Sequence, residues 1–117
     1  MITLFVVSCK NSRKKDLITL PVQTFFSGGL EREYMLYIPQ SAEKNSPLVF
    51  MLHGLGSTHT IIMNYSQMNQ VADKHGFVVC YPQGIRGAEN TRHTKKGTPF
   101  WNVGYETHKN ETVDDVS

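Results

Sequence analysis

Apolar residues alternate with polar ones in the first part of this chain and cluster into unbroken runs further on. Val22 to Phe26 is a short β-like run, and Ser27-Gly28-Gly29 after it is a turn signal. Arg32-Glu33-Tyr34-Met35-Leu36-Tyr37-Ile38 resumes the strand pattern, with Tyr34, Leu36 and Ile38 on one face, and Pro39 ends it. Two β runs joined by a Gly-Gly turn predict an antiparallel hairpin. Leu48-Val49-Phe50-Met51-Leu52 does not alternate, so it predicts a strand buried on both faces. Met68, Val71, Ala72 and His75 recur at helical spacing, with Ser66 as N-cap and Gly76 just past the last turn. Phe77-Val78-Val79-Cys80-Tyr81 is a second unbroken run, ended by Pro82. Strand, helix, strand is a βαβ unit, so these two strands should be parallel, with a right-handed crossover.

The polar stretches separate these elements. Ser41 to Ser46 reads as a loop. Gln83 to Glu111 is long, polar and glycine-punctuated, and it holds the single tryptophan, Trp101. Loops of that length in a compact domain are usually functional or mobile. Thr112 to Ser117 reads as a helix start, capped by Thr112, with Asp114 and Asp115 suited to its positive end and to local salt bridges.

Composition narrows the class. With 39% apolar and 19% charged residues among 117, the chain is an ordinary globular sequence. A net charge of +2, with no basic stripe interleaved with aromatics, excludes nucleic acid as a partner. Cys80 reads as a small buried hydrophobe, and the contexts of Cys9 and Cys80 differ too sharply to imply a disulfide. His53, His59, His75, His93 and His108 lack ligand spacing, so they read as surface or capping residues and no metal site is expected.

The N-terminus reads as an address label, the alternative being a buried β-strand that ends in a chance cysteine. Met1 to Cys9 is apolar, uncharged and too short to span a bilayer. Val6-Val7-Ser8-Cys9 resembles a bacterial lipobox, although no basic residue precedes the apolar run. The resemblance implies a lipidated Cys9 and a possible membrane anchor, hence export to the periplasm, the outer membrane or the exterior. Lys10 to Asp16 then reads as a polar linker, so residues 1–20 form a leader and residues 21–117 the folded portion.

His53-Gly54-Leu55-Gly56 follows the first buried strand and precedes a helix. Acyl transfer develops an oxyanion, which preorganised backbone N–H groups stabilise, and glycines let a backbone turn sharply toward it. In α/β-hydrolases one such N–H comes from the loop after the third strand, where HGGG-type sequences sit. Here the resemblance becomes specific. Gly28 to Pro39, Pro47 to Gly54, Ala72 to Pro82, Trp101-Asn102 and Val113 to Val116 are similar, in order, to segments of secreted esterases of the polyhydroxybutyrate-depolymerase and feruloyl-esterase type.

That resemblance implies the N-terminal part of an α/β-hydrolase fold: an antiparallel hairpin followed by a βαβ unit, incomplete. It implies a serine nucleophile with His and Asp partners, ester substrates and no cofactor. Leu55 N–H becomes the candidate oxyanion donor, with His53, Gly54 and Gly56 shaping the loop. No Gly-x-Ser-x-Gly occurs in the 117 residues, so the nucleophile, the acid and the catalytic histidine are expected after Ser117. Asp114 and Asp115 precede the nucleophile and do not suit the triad acid by chain order. The chain is therefore expected to be a fragment of a secreted or lipid-anchored esterase, inactive alone. The strand bearing the nucleophile should pair with Leu48–Leu52, which would otherwise keep an open edge. The rival reading is a complete, non-catalytic, lipid-anchored binding or structural domain that uses the Trp101 loop as its contact surface.

Overall fold

In a computed structural model of the chain, the described residues are 17–91, 94–105 and 115. Residues 1–16, which include Cys9 and the Lys10–Asp16 linker, lie outside them, as do His93, His108, Thr112 and Asp114. The first element is a hairpin: β1 (Val22–Ser27) and β2 (Leu30–Tyr37) pair antiparallel from Val22↔Met35 to Ser27↔Leu30 across Gly28-Gly29. A two-residue Gly-Gly loop suits the twist of such a ribbon, which is why this part of the pattern is met in full.

β3 (Leu48–Phe50) and β4 (Val78–Pro82) are parallel neighbours, with Leu48↔Val78 and Phe50↔Cys80 in register. Hydrogen bonds from Val78 N–H to Pro47 O and from Met51 N–H to Cys80 O extend the ladder at both ends. β4 also pairs antiparallel with β2, Met35 facing Tyr81 and Leu36 facing Cys80. The sheet order is β1-β2-β4-β3, so the parallel pair sits at one side and β3 at the edge. The molecule is thus mixed α/β, with one four-stranded sheet and two helices between β3 and β4.

The helix expected over Ser66–His75 is present from Met68 onward, and a second helix, not expected, precedes it. α1 (His59–Ser66) is capped by Thr58, whose Oγ1 accepts from Ile61 N–H at 3.3 Å. Its sequence, His-Thr-Ile-Ile-Met-Asn-Tyr-Ser, mixes branched and polar residues without a clean stripe, so periodicity does not reveal it. Gln67 then adopts a left-handed conformation at φ +54, which ends α1, and α2 (Met68–His75) starts after it. Ser66 is therefore the last residue of α1, although its Oγ still accepts from Met68 N–H at 3.3 Å. Gly76 ends α2 as expected, its N–H bonding Ala72 O at 2.7 Å.

The core is a small cluster of Met35, Met63, Ala72, Val79 and Tyr81, with Leu20, Tyr37, Met51, Ile62, Met68 and Phe77 packed against it. Register places Met35, Tyr37, Val79 and Tyr81 on one face of the sheet, the face both helices cover. On β2 the buried residue is thus Met35, on the opposite face from Tyr34 and Leu36. On α2, Asn69 and Ala72 are buried while Val71 and His75 stay exposed, so the helical stripe is rotated from the expected one. Asn69 is tolerated there because its Oδ1 accepts from Tyr81 Oη at 2.7 Å. Ahead of β1, Ile18 exchanges two hydrogen bonds with the Asn64 side chain, at 3.0 and 2.9 Å.

Two further expectations are corrected. β3 is not buried on both faces: Leu48 and Phe50 are exposed, and only Val49 and Met51 are half-buried on the helix side. The described part of Gln83–Glu111 is not all loop. β5 (Ile85–Arg86) and β6 (Pro99–Phe100) form a second, antiparallel pair. The strands are only two residues long, too short to leave an alternating signature.

Candidate functional site

The residues His53 to Ser57 leave the C-terminal end of the strand region and fold back at once. Ser57 N–H donates to Gly54 O at 3.1 Å, closing a β-turn with Leu55 and Gly56 at its centre. Gly56 has φ +74, the conformation a type II turn requires at its third residue, so glycine is needed there. The Leu55 side chain is 62% exposed, and its N–H bonds no described residue.

His53 is the pivot of this turn, and it is buried, 2% exposed. The expectation of a surface or capping histidine is wrong for this residue. Its Nε2 accepts from the Gly84 backbone N–H at 2.9 Å, which places the ring proton on Nδ1. Nδ1 lies 2.8 Å from Gly54 O and donates to it. With both nitrogens engaged inside the protein, this ring is a structural fixture of the turn. His59, at the start of α1, is half-buried, and that burial lowers its pKa. Its backbone N–H donates to Gln83 Oε1 at 3.2 Å, and the Gln83 amide nitrogen lies 2.9 Å from His53 Nε2. Gln83 thus links α1 to the turn.

Gly84 is dictated by close approach. A Cβ at this position would lie 2.3 Å from Phe100 O and 3.2 Å from His53 Nε2. Gln83 and Gly84 follow β4 directly, and a parallel neighbour's C-terminal end falls beside that of β3. That adjacency was available from the βαβ reading and points to Gln83-Gly84 as partners of the loop. The contribution of residues 99–102 had no such signal. Gly56 N–H donates to Pro99 O at 2.8 Å, and Trp101 Nε1–H donates to His53 O at 2.9 Å. The Trp101 and His53 rings lie 5.1 Å apart at 37°.

Asp115 closes the arrangement from a distance in sequence. Asn102 N–H donates to Asp115 Oδ2 at 2.6 Å, and Asp115 N–H returns a bond to Asn102 O at 3.2 Å. The other carboxylate oxygen forms an ion pair with Arg32 of β2, and the Asp115 side chain is only 4% exposed. The local salt bridge expected for Asp115 is instead a long-range one, to Arg32 83 residues away. The structure therefore brings His53, Gly54, Leu55 and Gly56 together as one turn. Among the described residues no group of three or more His, Cys, Asp or Glu side chains could hold a metal ion.

A mixed α/β sheet with a glycine turn pinned beyond the parallel strand β3 defines the class of the protein. Comparison with known sequences gives the family: residues 32–102 match the family model described as esterase PHB depolymerase, and the chain belongs to that family. The match begins at Arg32 and ends at Asn102, so it takes in the turn and the residues that hold it. The chain is also 36% identical over 59 residues to a bifunctional acetylxylan esterase/xylanase, XynS20E, of Neocallimastix patriciarum. That alignment covers 50% of this chain and 9% of that protein.

Proposed function

We propose that this chain supplies the oxyanion-binding side of a serine carboxylic-ester hydrolase with an α/β-hydrolase fold. The observation that carries the proposal is the Leu55 N–H. It has no bond to any described residue, on a turn held rigidly by His53, Gly84, Pro99 and Trp101. A backbone donor fixed in advance of the reaction is what a developing oxyanion needs, because no reorganisation is then required as charge forms. Membership of an esterase family supports this reading, and the acetylxylan esterase activity for which the relative is named supports a carboxylic ester as the substrate class. The proposed reaction needs a serine nucleophile, and no Gly-x-Ser-x-Gly is among these residues. The attacking serine would form an acyl-enzyme that water then cleaves, and the turn would stabilise both tetrahedral intermediates.

The test uses a property of the turn itself. Leu55 is the second residue of a type II turn, where proline is favoured. Leu55→Pro therefore keeps the turn and removes only the N–H. In the polypeptide that carries the downstream Gly-x-Ser-x-Gly, the expected outcome is a fall in kcat of about 10²–10³ with KM little changed. The 117-residue chain alone should hydrolyse no aryl ester above background. An unchanged kcat for Leu55→Pro would reject the oxyanion role. Turnover by the isolated chain, stopped by a serine-directed phosphonate, would reject the division of labour.

A further inference from the structure

The peptide unit that carries the Leu55 N–H joins Gly54 to Leu55, and the units on either side of it are both tied to residues 99–102. The unit before it presents His53 O to Trp101 Nε1–H. The unit after it presents Gly56 N–H to Pro99 O. Residues 99–102 thus form a rail that sets the direction of the peptide between. The rail is held at its start by the pairing of Pro99 and Phe100 with β5, and at its other end at Asn102. Both backbone groups of Asn102 are engaged by Asp115, and the second carboxylate oxygen of Asp115 meets Arg32 on β2. The match to the family ends at Asn102, so Asp115 lies outside the matched residues.

We infer that the Arg32–Asp115 pair is a positioning device for the His53–Gly56 turn. It fixes Asn102 against the sheet, and through Trp101 and Pro99 it fixes the peptide bearing the Leu55 N–H. A carboxylate this deeply buried is stable only with its partners in place, so the device has a made and an unmade state. Loss of either partner leaves a charge facing a poorly solvated site, and the rail end is released to let it reach water. Neither Arg32 nor Asp115 shares a hydrogen bond or ion pair with a described turn residue, so both act through Asn102 as positioning residues.

This inference rests on the oxyanion reading for its functional meaning, but its test does not. Hydrogen exchange and ¹H–¹⁵N spectra of the 117-residue chain read the Gly56 amide and the Trp101 indole N–H directly; Trp101 is the single tryptophan, so its resonance is unambiguous. Asp115→Ala is expected to speed exchange at both by about 10–100-fold, the scale of one hydrogen bond to a charged group. The Trp101 indole resonance should move with it, and the Val79 amide in the centre of the sheet should not change. Arg32→Lys, which keeps the charge and loses the planar fork, should fall between wild type and Asp115→Ala. If Asp115→Ala gives no dispersed spectrum, Asp115→Asn is read alone. It retains an oxygen for Asn102 N–H, and the same selective rise is expected with smaller size. Unchanged exchange at Gly56 and Trp101 overturns the inference. So does a uniform rise that includes Val79, which would make the pair an ordinary contributor to global stability. Failure of Leu55→Pro to alter kcat, with selective exchange still present, would remove the oxyanion reading and leave the coupling intact.

Discussion

The two faces of the four-stranded sheet carry the same kinds of side chain and meet different surroundings. On one, Met35, Val79 and Tyr81 pack under Met63 and Ala72 of the helices, each 4% exposed or less. On the other, register places Leu36, Val78 and Cys80 beside Leu48 and Phe50, and the last two are 51% and 61% exposed. Phe25 belongs to this second face and packs edge-on against Tyr34, with ring centroids 5.8 Å apart. An apolar strand residue carries the capacity to be buried, about 25 cal/mol per Å² of apolar surface removed from water. Whether that capacity is realised depends on what lies across from it. The helix-side residues of β2 and β4 hold the fold, while Phe26, on the same face of β1, is 75% exposed; the residues of the second face add less to stability.

The sharpest break of this comparison uses one residue from each side. Met63→Ala should cost about 2–5 kcal/mol, the usual range for deleting a fully buried long side chain. Phe50→Lys should stay within about 0.5 kcal/mol of wild type, as a substitution on exposed surface does. Phe50→Lys should also raise the monomer fraction, because β3 is an edge strand without a charge to blunt pairing with other chains. Denaturant midpoints and size-exclusion profiles measure both effects. Comparable destabilisation by the two variants would mean that the second face is covered after all.

A smaller effect tests how the covered face tolerates a polar group. Tyr81 is fully buried, and burial pushes its hydroxyl pKa up to about 12, so it remains a donor through the working pH range. Its partner, Asn69 Oδ1, sits on the same buried side. Tyr81→Phe removes the donor and leaves the amide oxygen in an apolar setting, at a cost of about 1–3 kcal/mol in the denaturant midpoint. A neutral result would show that Asn69 finds water or a new partner by turning outward.

The same contrast explains what could be read from sequence. The hairpin, the parallel β3–β4 pair and the His53–Gly56 turn were legible because each depends on local signals: a Gly-Gly loop, unbroken apolar runs and a glycine at the turn. The family resemblance was legible for the same reason, since its motifs are contiguous. What failed to show was decided by contacts between distant segments. Gln67 takes a left-handed conformation against its own preference and ends α1. His53 is buried because Gly84, 31 residues away, donates to its ring. Asp115 meets Arg32 across 83 residues, and nothing in the spacing of charged residues predicts it. The exposed half of β3 was misjudged because the pattern records what a strand can bury.

Cys80 gives the finest probe of the second face. Register sets it between Phe50 on β3 and Leu36 on β2, on the side without a helix among the described residues, yet it is only 6% exposed. Its neighbours in the sheet on that face are Phe50 and Leu36. Burial also pushes its thiol pKa up, which lowers the thiolate fraction and slows attack on a disulfide reagent. In a Cys9→Ser background the single remaining thiol should react at pH 8 about 10–100-fold more slowly than in denaturant, since the thiolate is the reacting form. Phe50→Ala should then speed labelling several-fold while leaving the denaturant midpoint within about 0.5 kcal/mol, because it uncovers Cys80 without opening the core. Met63→Ala should speed labelling only in proportion to the stability it removes, since that residue shields the opposite face. If Phe50→Ala leaves the labelling rate unchanged, the cover over Cys80 comes from elsewhere, and the open face is narrower than the exposure of Leu48 and Phe50 indicates.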